Sequence, residues 1–515
     1  MGRSTEDDWI ALRHTAGRRR ARPLGWLRLL LRVRWVRVLL VLVGLALLAE
    51  ATRRFTLSQS LYRLNLGANA ALAELPDPTP GDRVLIFAPH PDDEILGSGG
   101  FLQRALEVGA AVQVALLTNG EYSRISAALS EGTVPHTPAA FIRLGYARQE
   151  ETLAALRGIG VPDRAVTFLG YPNEYLDQMW AADHWLLSSP VRAGRLAAVR
   201  TPYTNAFTPN ALFAGQSLLA DIQHLLLQFR PTIVITIHPN DSHSDHWPTY
   251  AFVQLALQRL RLAGQPFARE ARLFTYLVHR DHWPAPRGFL PLHHLEPPVA
   301  LTALDGAGWR AFPLTLAETL EKRDAINQFR SQGAPHDKFL ASFARANELL
   351  CLPTPTVWRA EGEGQHAQFD DPVVDTSMAA LAPSGDIRTV SLSATGRRLV
   401  VGLETVGRVN SEVRYHLTLH SLNPGGDLQI VQCDWSGTRA AGVTLRGGVV
   451  RALSGQQVSA VNGGRVSELR TPLPWNETPP VLLVRAWTTK GNRILDQTAV
   501  ALVTPAQPAA APSSD

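Results

Sequence analysis

Cysteine is nearly absent from this chain: Cys351 and Cys433 are the only two in 515 residues. That excludes a disulfide scaffold and a thiolate zinc site. The two fall in different predicted domains and read as unpaired, even if the compartment is an oxidising one. A strong overall charge is lacking too. The formal balance of +5 owes much to ten arginines crowded into the first forty residues, so the basic character is local. No nucleic-acid partner is expected from such a distribution. The apolar run Val38–Ala49 falls short of the roughly 20 residues that cross a bilayer. Flanked by Trp35 and Arg37 before it and Arg53 and Arg54 after it, it is nevertheless expected in or through a membrane. Trp35, Val36 and a snorkelling Arg37 would extend it, leaving the arginines inside and the rest of the chain outside. The alternative is a cleaved signal, since Ala49-Glu-Ala51 resembles a small-x-small site. Both readings export the remainder of the chain.

What is present is a chain long enough for two or three domains. After a basic N-terminus with a transmembrane or signal-anchor segment (1–54) comes a stretch ending in Pro76, Pro78 and Pro80, read as a stalk (55–81). From Arg83 strand and helix patterns alternate. Apolar runs at Val84–Ala88, Ala111–Leu117, Ala165–Leu169, Thr232–Ile237 and 271–278 read as buried strands. Helices are expected near 139–157, 214–229, 248–262, 314–330 and 339–350. This predicts an α/β domain over 82–352, a Rossmann-like, mainly parallel sheet with helices on both faces. Residues 176–213 hold Trp180, Trp185, Tyr203 and Phe207 without a clean period, and their length suggests a lid or cleft insertion. A linker is expected at 353–384. Beyond it the period changes to two, as in Val413, Tyr415, Leu417 and Leu419, which predicts an all-β, sandwich-like domain over 385–505 and a disordered tail at 506–515. Trp435, Trp475 or Trp487 could meet carbohydrate there, although a plain structural or protein-docking role is the one expected.

Two stretches carry chemistry. The first is Ala88-Pro-His-Pro-Asp-Asp-Glu94, at a strand-to-helix turn of the kind that binds ligands in open α/β sheets. Acids there could simply cap the helix, as expected of Glu94. His90, however, stands three residues before Asp93, and the two can place nitrogen and oxygen on one divalent ion while Asp92 remains free to work on a water. A third ligand must come from elsewhere. The second stretch, His238-Pro-Asn-Asp-Ser-His-Ser-Asp-His246, also comes directly after a strand and supplies three histidines and two aspartates in nine residues. His238 either lines a pocket or terminates its strand.

Together Ala88-Pro-His-Pro-Asp-Asp-Glu94 and His243-Ser-Asp-His246 resemble the PIG-L or LmbE-like family of zinc-dependent N-acetylglucosaminyl deacetylases, over residues about 82–350. Arg148 and Glu151 resemble the family's Arg-x-x-Glu, Leu169-Gly-Tyr-Pro172 its Leu-Gly-x-Pro turn, and Ser331-Gln332 a late Ser-Gln pair. The resemblance implies Zn2+, or another divalent metal, on His90, Asp93 and His246, with Asp92 as general base and His243 as acid or oxyanion partner. Asp245 joins the catalytic group as an acid that could orient either imidazole, and Asp241 could do likewise. Arg148, Asn173 and Asp241 are expected on the substrate side, although Arg148 and Glu151 would equally make an ion pair. Asn173 stands where the family commonly has Asp, which leaves Glu174 or Asp177 as substitutes. The expected activity is removal of the acetyl group from an N-acetylated amino sugar or glycan. An amidase acting on another N-acyl compound, and a silent glycan-binding protein, are the rivals.

Overall fold

The computed structural model describes residues 38–45, 72–122, 137–305, 308–332, 337–361, 364–373, 381–396, 398–472 and 481–505. Residues 38–45 form a short helix with exposed apolar side chains. Among the described residues no helix is long and apolar enough to cross a membrane. The rest of the expected N-terminal segment, most of the stalk, the tail and Trp475 lie outside the described residues.

The α/β half is built from β1 (Arg83–Ala88), α1 (Asp93–Glu107), β2 (Ala111–Thr118), α2 (Pro138–Gly158), β3 (Val166–Tyr171), α3 (Leu176–Trp180), α4 (Gly215–Phe229), β4 (Ile233–Ile237), α5 (His246–Leu262), β5 (Arg272–Tyr276), β6 (Trp309–Pro313), α6 (Leu316–Ile326) and β7 (Asn347–Cys351), with shorter helices between. Seven strands form one sheet in the order β3-β2-β1-β4-β5-β7-β6. The first five are parallel, and β7 runs antiparallel to both its neighbours. All five residues of β4 and all but the first of β1 are buried, which is why these strands read as continuous apolar runs rather than alternating ones. The chain winds outward from β1 through β2 to β3, then returns to β1's other side for β4 and β5. Their carboxyl ends therefore open onto the point where the winding reverses, the usual crevice of such sheets.

Three expectations are corrected. The helix expected at 339–350 is only a short helical stretch (Asp337–Phe343) followed by strand β7. A short apolar run with a buried Glu348 gives no period to separate strand from helix. The region 176–213 is packed rather than lid-like: Trp180, Trp185 and Tyr203 are buried, their irregular spacing fitting a seat between two halves of the molecule. The end of the expected stalk docks on the sheet, with Leu75 N donating to Ala311 O at 2.8 Å.

One interruption shapes the active end of α1. Its first turn lies against β5, where a Cβ on Gly97 would fall 2.1 Å from the Tyr276 ring. The helix breaks at Ser98 (φ −149°). Glu348 from β7 takes over the freed donors, accepting from Gly100 N at 2.7 Å and Phe101 N at 2.9 Å, while Lys322 Nζ from α6 donates to Leu96 O at 2.8 Å and to Glu348 at 2.6 Å. A buried ion pair thus replaces the missing helix bonds.

The C-terminal half is β-rich. Thirteen strands join one sheet, from β8 (Thr356–Glu361) to β20 (Ala501–Pro505) in the chain, including β12 (Arg414–Leu422), β13 (Leu428–Ser436) and β18 (Val481–Lys490). Side chains from both ends of the sheet, such as Leu392, Leu399, Leu417 and Cys433, share one core. Two of its strands, β8 and β9 (Gly364–Asp370), lie within the stretch expected as linker. A second set, including Leu422, Ile430, Val481 and Leu483, belongs to the core of the α/β half. Cys351 and Cys433 are both buried.

Candidate metal centre and its cleft

The β1–α1 turn and the loop between β4 and α5 come together at the crevice. His90 Nδ1 lies 3.0 Å from His246 Nε2 and 3.2 Å from Asp93 Oδ2, and His246 Nε2 lies 3.3 Å from that same oxygen. Each imidazole is held from behind. His90 Nε2 is 3.1 Å from Asp245 Oδ2, and His246 Nδ1 is 3.0 Å from Asp241 Oδ1. With protons on those far nitrogens, the near nitrogens turn lone pairs toward each other and toward a carboxylate oxygen. Three acceptors in mutual contact are suited to a cation between them. Bonds of about 2.0–2.1 Å in tetrahedral geometry put ligand atoms about 3.3 Å apart, so the donor set fits a divalent ion in type and spacing. Carboxylates on the far nitrogens are the usual means of orienting metal-bound histidines. Two more imidazoles reach the same place: the nitrogens of His243 lie within 4.8 Å of those of His90 and His246, and His279 lies equally near Asp93 and His246.

Asp92 sits beside this group at the N-terminus of α1 with φ 113°, a conformation rarely adopted outside glycine and found where function demands it. The backbone there is pinned on both sides. Asp92 N donates to Glu94 Oε2 at 3.1 Å, which settles Glu94 as a helix-start group, and Pro91 O accepts from Arg148 Nη2 at 2.7 Å. Burial, and then the charge of Asp93, pushes the Asp92 carboxyl up to about 7. His243 accepts at Nδ1 from Asp245 N at 3.1 Å, so its neutral ring carries the proton on Nε2. Burial and the neighbouring His90 and His246 hold its pKa down.

A cleft of about 250 Å³ opens over these groups, walled by His90, Asp92, His243, Arg148, Asn173 and His279 among others. The remaining expectations sort by what each side chain touches. Asp241, expected either toward substrate or behind an imidazole, takes the second place, buried and fully engaged: besides His246 it accepts from His243 N, Val278 N and His279 N. Asp245 is likewise buried away from the cleft, accepting from Leu176 N at 3.0 Å and Glu174 N at 2.5 Å as well as facing His90, so it orients rather than reacts. Arg148 reaches the cleft wall, but it also donates to Gly120 O at 2.6 Å, and the Gln332 amide oxygen accepts from it. Its expected partner Glu151 instead accepts from Ser331 N and Oγ at 2.7 and 2.6 Å. The Arg-x-x-Glu and Ser-Gln pairs thus meet each other across the domain. Asn173 lines the cleft with an unpartnered Oδ1; Glu174 stands exposed at its rim, and Asp177 faces elsewhere. His238 terminates its strand, buried and stacked on Trp309.

Two residues were missed. His279 forms the cleft's far wall, stacked on Phe339 at 5.3 Å, and burial followed by the charge of His246 lowers it to about 4. Glu121 is a buried carboxylate that accepts from Asn173 N at 3.1 Å, and burial raises it to about 7. Both stand a few residues past the carboxyl ends of parallel strands, β5 and β2, a position that marks functional residues in such sheets.

Two imidazoles and a carboxylate around one point, with the further carboxylate of Asp92 at the cleft 3.5 Å from Arg148 Nη2, are the arrangement of a metal-dependent hydrolase. Residues 85–257 match the PIG-L family model, described as GlcNAc-PI de-N-acetylase. The 1D-myo-inositol 2-acetamido-2-deoxy-alpha-D-glucopyranoside deacetylase of Rhodococcus erythropolis strain PR4 is 26% identical over 277 residues, 53% of this chain and 83% of that protein. Its namesake from Mycobacterium sp. strain KMS is 31% identical over 180 residues, 34% of this chain and 50% of its own length. Among solved structures, the N,N'-diacetylchitobiose deacetylase of Pyrococcus horikoshii aligns at TM-score 0.29 and 17% identity, covering 49% of this chain and 72% of that one.

Proposed function

We propose that this protein is a metal-dependent deacetylase that hydrolyses the acetamide of an N-acetylglucosamine-type sugar within a glycan or glycoconjugate. The observation that carries the reading is the contact of His90 Nδ1, Asp93 Oδ2 and His246 Nε2, each imidazole backed by its own carboxylate. His90, Asp93 and His246 would hold the ion, with Zn2+ favoured by the nitrogen and oxygen donors. When bound, the ion supplies Lewis acidity toward the amide carbonyl and makes water a better nucleophile near neutral pH. Asp92, at the cleft and outside the ligand triangle, takes a proton from the attacking water at its carboxylate. His243 offers its Nε2–H to the oxygen on which negative charge develops. Asn173 and Glu174 stand where sugar hydroxyls would meet the wall. The curated relatives act on a 2-acetamido sugar by their names, which supports the substrate class.

The test is acetate release by the zinc-loaded protein from N-acetylglucosamine, its oligomers and lipid-linked forms. Asp92→Asn is expected to abolish turnover while keeping the metal, and His246→Ala to lose both. Release only from N-acyl compounds that are not sugars would refute the substrate class. The reading extends to location: the arginine-rich N-terminus and the apolar run Val38–Ala49 would tether the protein to a membrane with its cleft outside the cytoplasm. Fractionation and protease accessibility of intact cells check this, and a cytoplasmic pool of full-length protein would overturn it.

A further inference from the structure

A second cavity, of about 440 Å³, lies between the α/β half and the β-rich half. One of its walls is the reverse side of the loop that walls the cleft. His243 faces the cleft, whereas Ser242 and Ser244 on either side of it face the cavity. The β3–α3 connection behaves likewise, with Glu174 on the cleft and Asp177, three residues later, on the cavity. A single thickness of backbone divides the two spaces. The opposite wall comes from β18 and the strand after it. There Arg485 is buried, its guanidinium 3.9 Å from the Trp247 ring centre and 4.9 Å from that of Trp487, and its Nη2 donates to Gln497 at 2.6 Å. Its Nε–H is buried and makes no hydrogen bond. Gln497 Nε2 in turn reaches Ser242 O at 3.5 Å. The β-rich half is therefore built against the loop that carries His243 and His246.

We infer that this cavity is a second saccharide subsite, which takes a sugar further along a glycan that passes around the dividing loop while one of its acetamides enters the cleft; the inference rests on the deacetylase reading. Its lining matches what a pyranose presents. The Asp177 carboxylate accepts from hydroxyls, Arg485 donates, the amide of Gln178 does both, and the edges of Trp247 and Trp487 offer apolar surface to ring C–H groups. An anion finds little here, because the field of Arg485 is shared with Asp177 and Asp371. The volume and the place between domains are those of small-ligand sites, about 300–1,000 Å³. The β-rich half then selects longer substrates, and Trp487, rather than the buried Trp435, is the tryptophan involved.

The full-length, zinc-loaded protein tests this with N-acetylglucosamine and its β-1,4-linked tetramer. Gln178 is exposed at the cavity, so Gln178→Trp fills the space without disturbing a core; Asp177→Ala removes a polar group instead. The ratio of kcat/KM for tetramer over monomer is expected to exceed ten in the native protein and to fall about tenfold in each variant. Binding is measured in parallel by calorimetry in the Asp92→Asn background, where Gln178→Trp should weaken the tetramer about tenfold. Monomer turnover with a ratio indifferent to both variants overturns the subsite and leaves the deacetylase reading standing. Tetramer binding that Gln178→Trp weakens, with no N-acetyl sugar hydrolysed, supports the subsite and removes the reading. A tetramer neither hydrolysed nor bound overturns the subsite.

Discussion

At the scale of single residues, the site was legible in kind and not in wiring. A histidine and two aspartates at one strand end and a histidine-aspartate cluster at another announce metal chemistry by residue type alone. Which imidazole nitrogen faces the centre, and which acid stands behind it, depends on the path of two loops. Asp241 accordingly reads both as a substrate-side residue and as an orienting acid, and the fold decides for the second, with its carboxylate behind His246 at 3.0 Å. The backbone of Asp92 was equally invisible, because a φ of 113° leaves no trace in the identity of a residue kept for its carboxylate. That strain makes a prediction in the metal-free protein. Asp92→Gly and Asp92→Ala both remove the buried acid, yet only glycine relaxes into this conformation, so the glycine variant should be more stable by about 1–3 kcal/mol. In ordinary conformations alanine is the more stable of the two, by reducing the freedom of the unfolded chain. Urea unfolding of the pair decides it, and an alanine variant at least as stable as the glycine one would refute the strain.

At the scale of elements, the five parallel strands could be read because burial on both faces writes them as unbroken apolar runs. The break in α1 could not, since Gly97, Ser98, Gly99 and Gly100 signal weakness without saying where the freed backbone groups go. Nor could β7, whose Glu348 looks like a helix residue until Gly100, Phe101 and Lys322 are found around it. Glu348 and Lys322 are almost wholly inaccessible, at 1% and 0% side-chain exposure, and 2.6 Å apart. Neutralising one partner of such a pair leaves a charge buried without compensation, typically at a cost of about 3–5 kcal/mol. Glu348→Gln is therefore expected to lose about that much stability. It should also loosen the first turn of α1, which carries Asp93. Urea denaturation gives the first quantity and metal affinity the second. A loss below about 1 kcal/mol, comparable to an exposed ion pair, would mean that the pair does not brace the helix.

At the scale of the whole molecule, the change of sequence period near residue 385 separated two halves that the structure joins. Leu422, Ile430, Val481 and Leu483 pack into the core of the α/β half. The aromatic stretch read as a lid is the seat on which the β-rich half rests. His420 of β12 is the polar residue at the centre of that seat. It is fully buried, stacked on Trp180 at 3.7 Å, with Nε2 facing Trp180 O at 3.1 Å and Nδ1 without a partner. The ring is thus a neutral donor, and burial lowers its pKa from 6.5 to about 3. In the unfolded chain the same ring takes up a proton as the pH falls through about 6.5, whereas the folded protein resists until about 3. Between those values the unfolded state binds more protons, so stability is complete above pH 6.5 and declines steadily as acid is added, by up to about 5 kcal/mol. Replacement by a neutral amide, His420→Gln, keeps a donor for Trp180 O and removes the proton uptake. The native protein and the variant should differ little in the slope of stability against pH above 6.5 and diverge below it, the variant losing stability less steeply by close to one proton. Because the two halves share a core, a common unfolding transition should report the effect whether it is followed by tryptophan fluorescence or by far-ultraviolet circular dichroism. Equal slopes between pH 6.5 and 3 would show that His420 is already charged in the folded molecule, and that the seat is wetter than its packing implies.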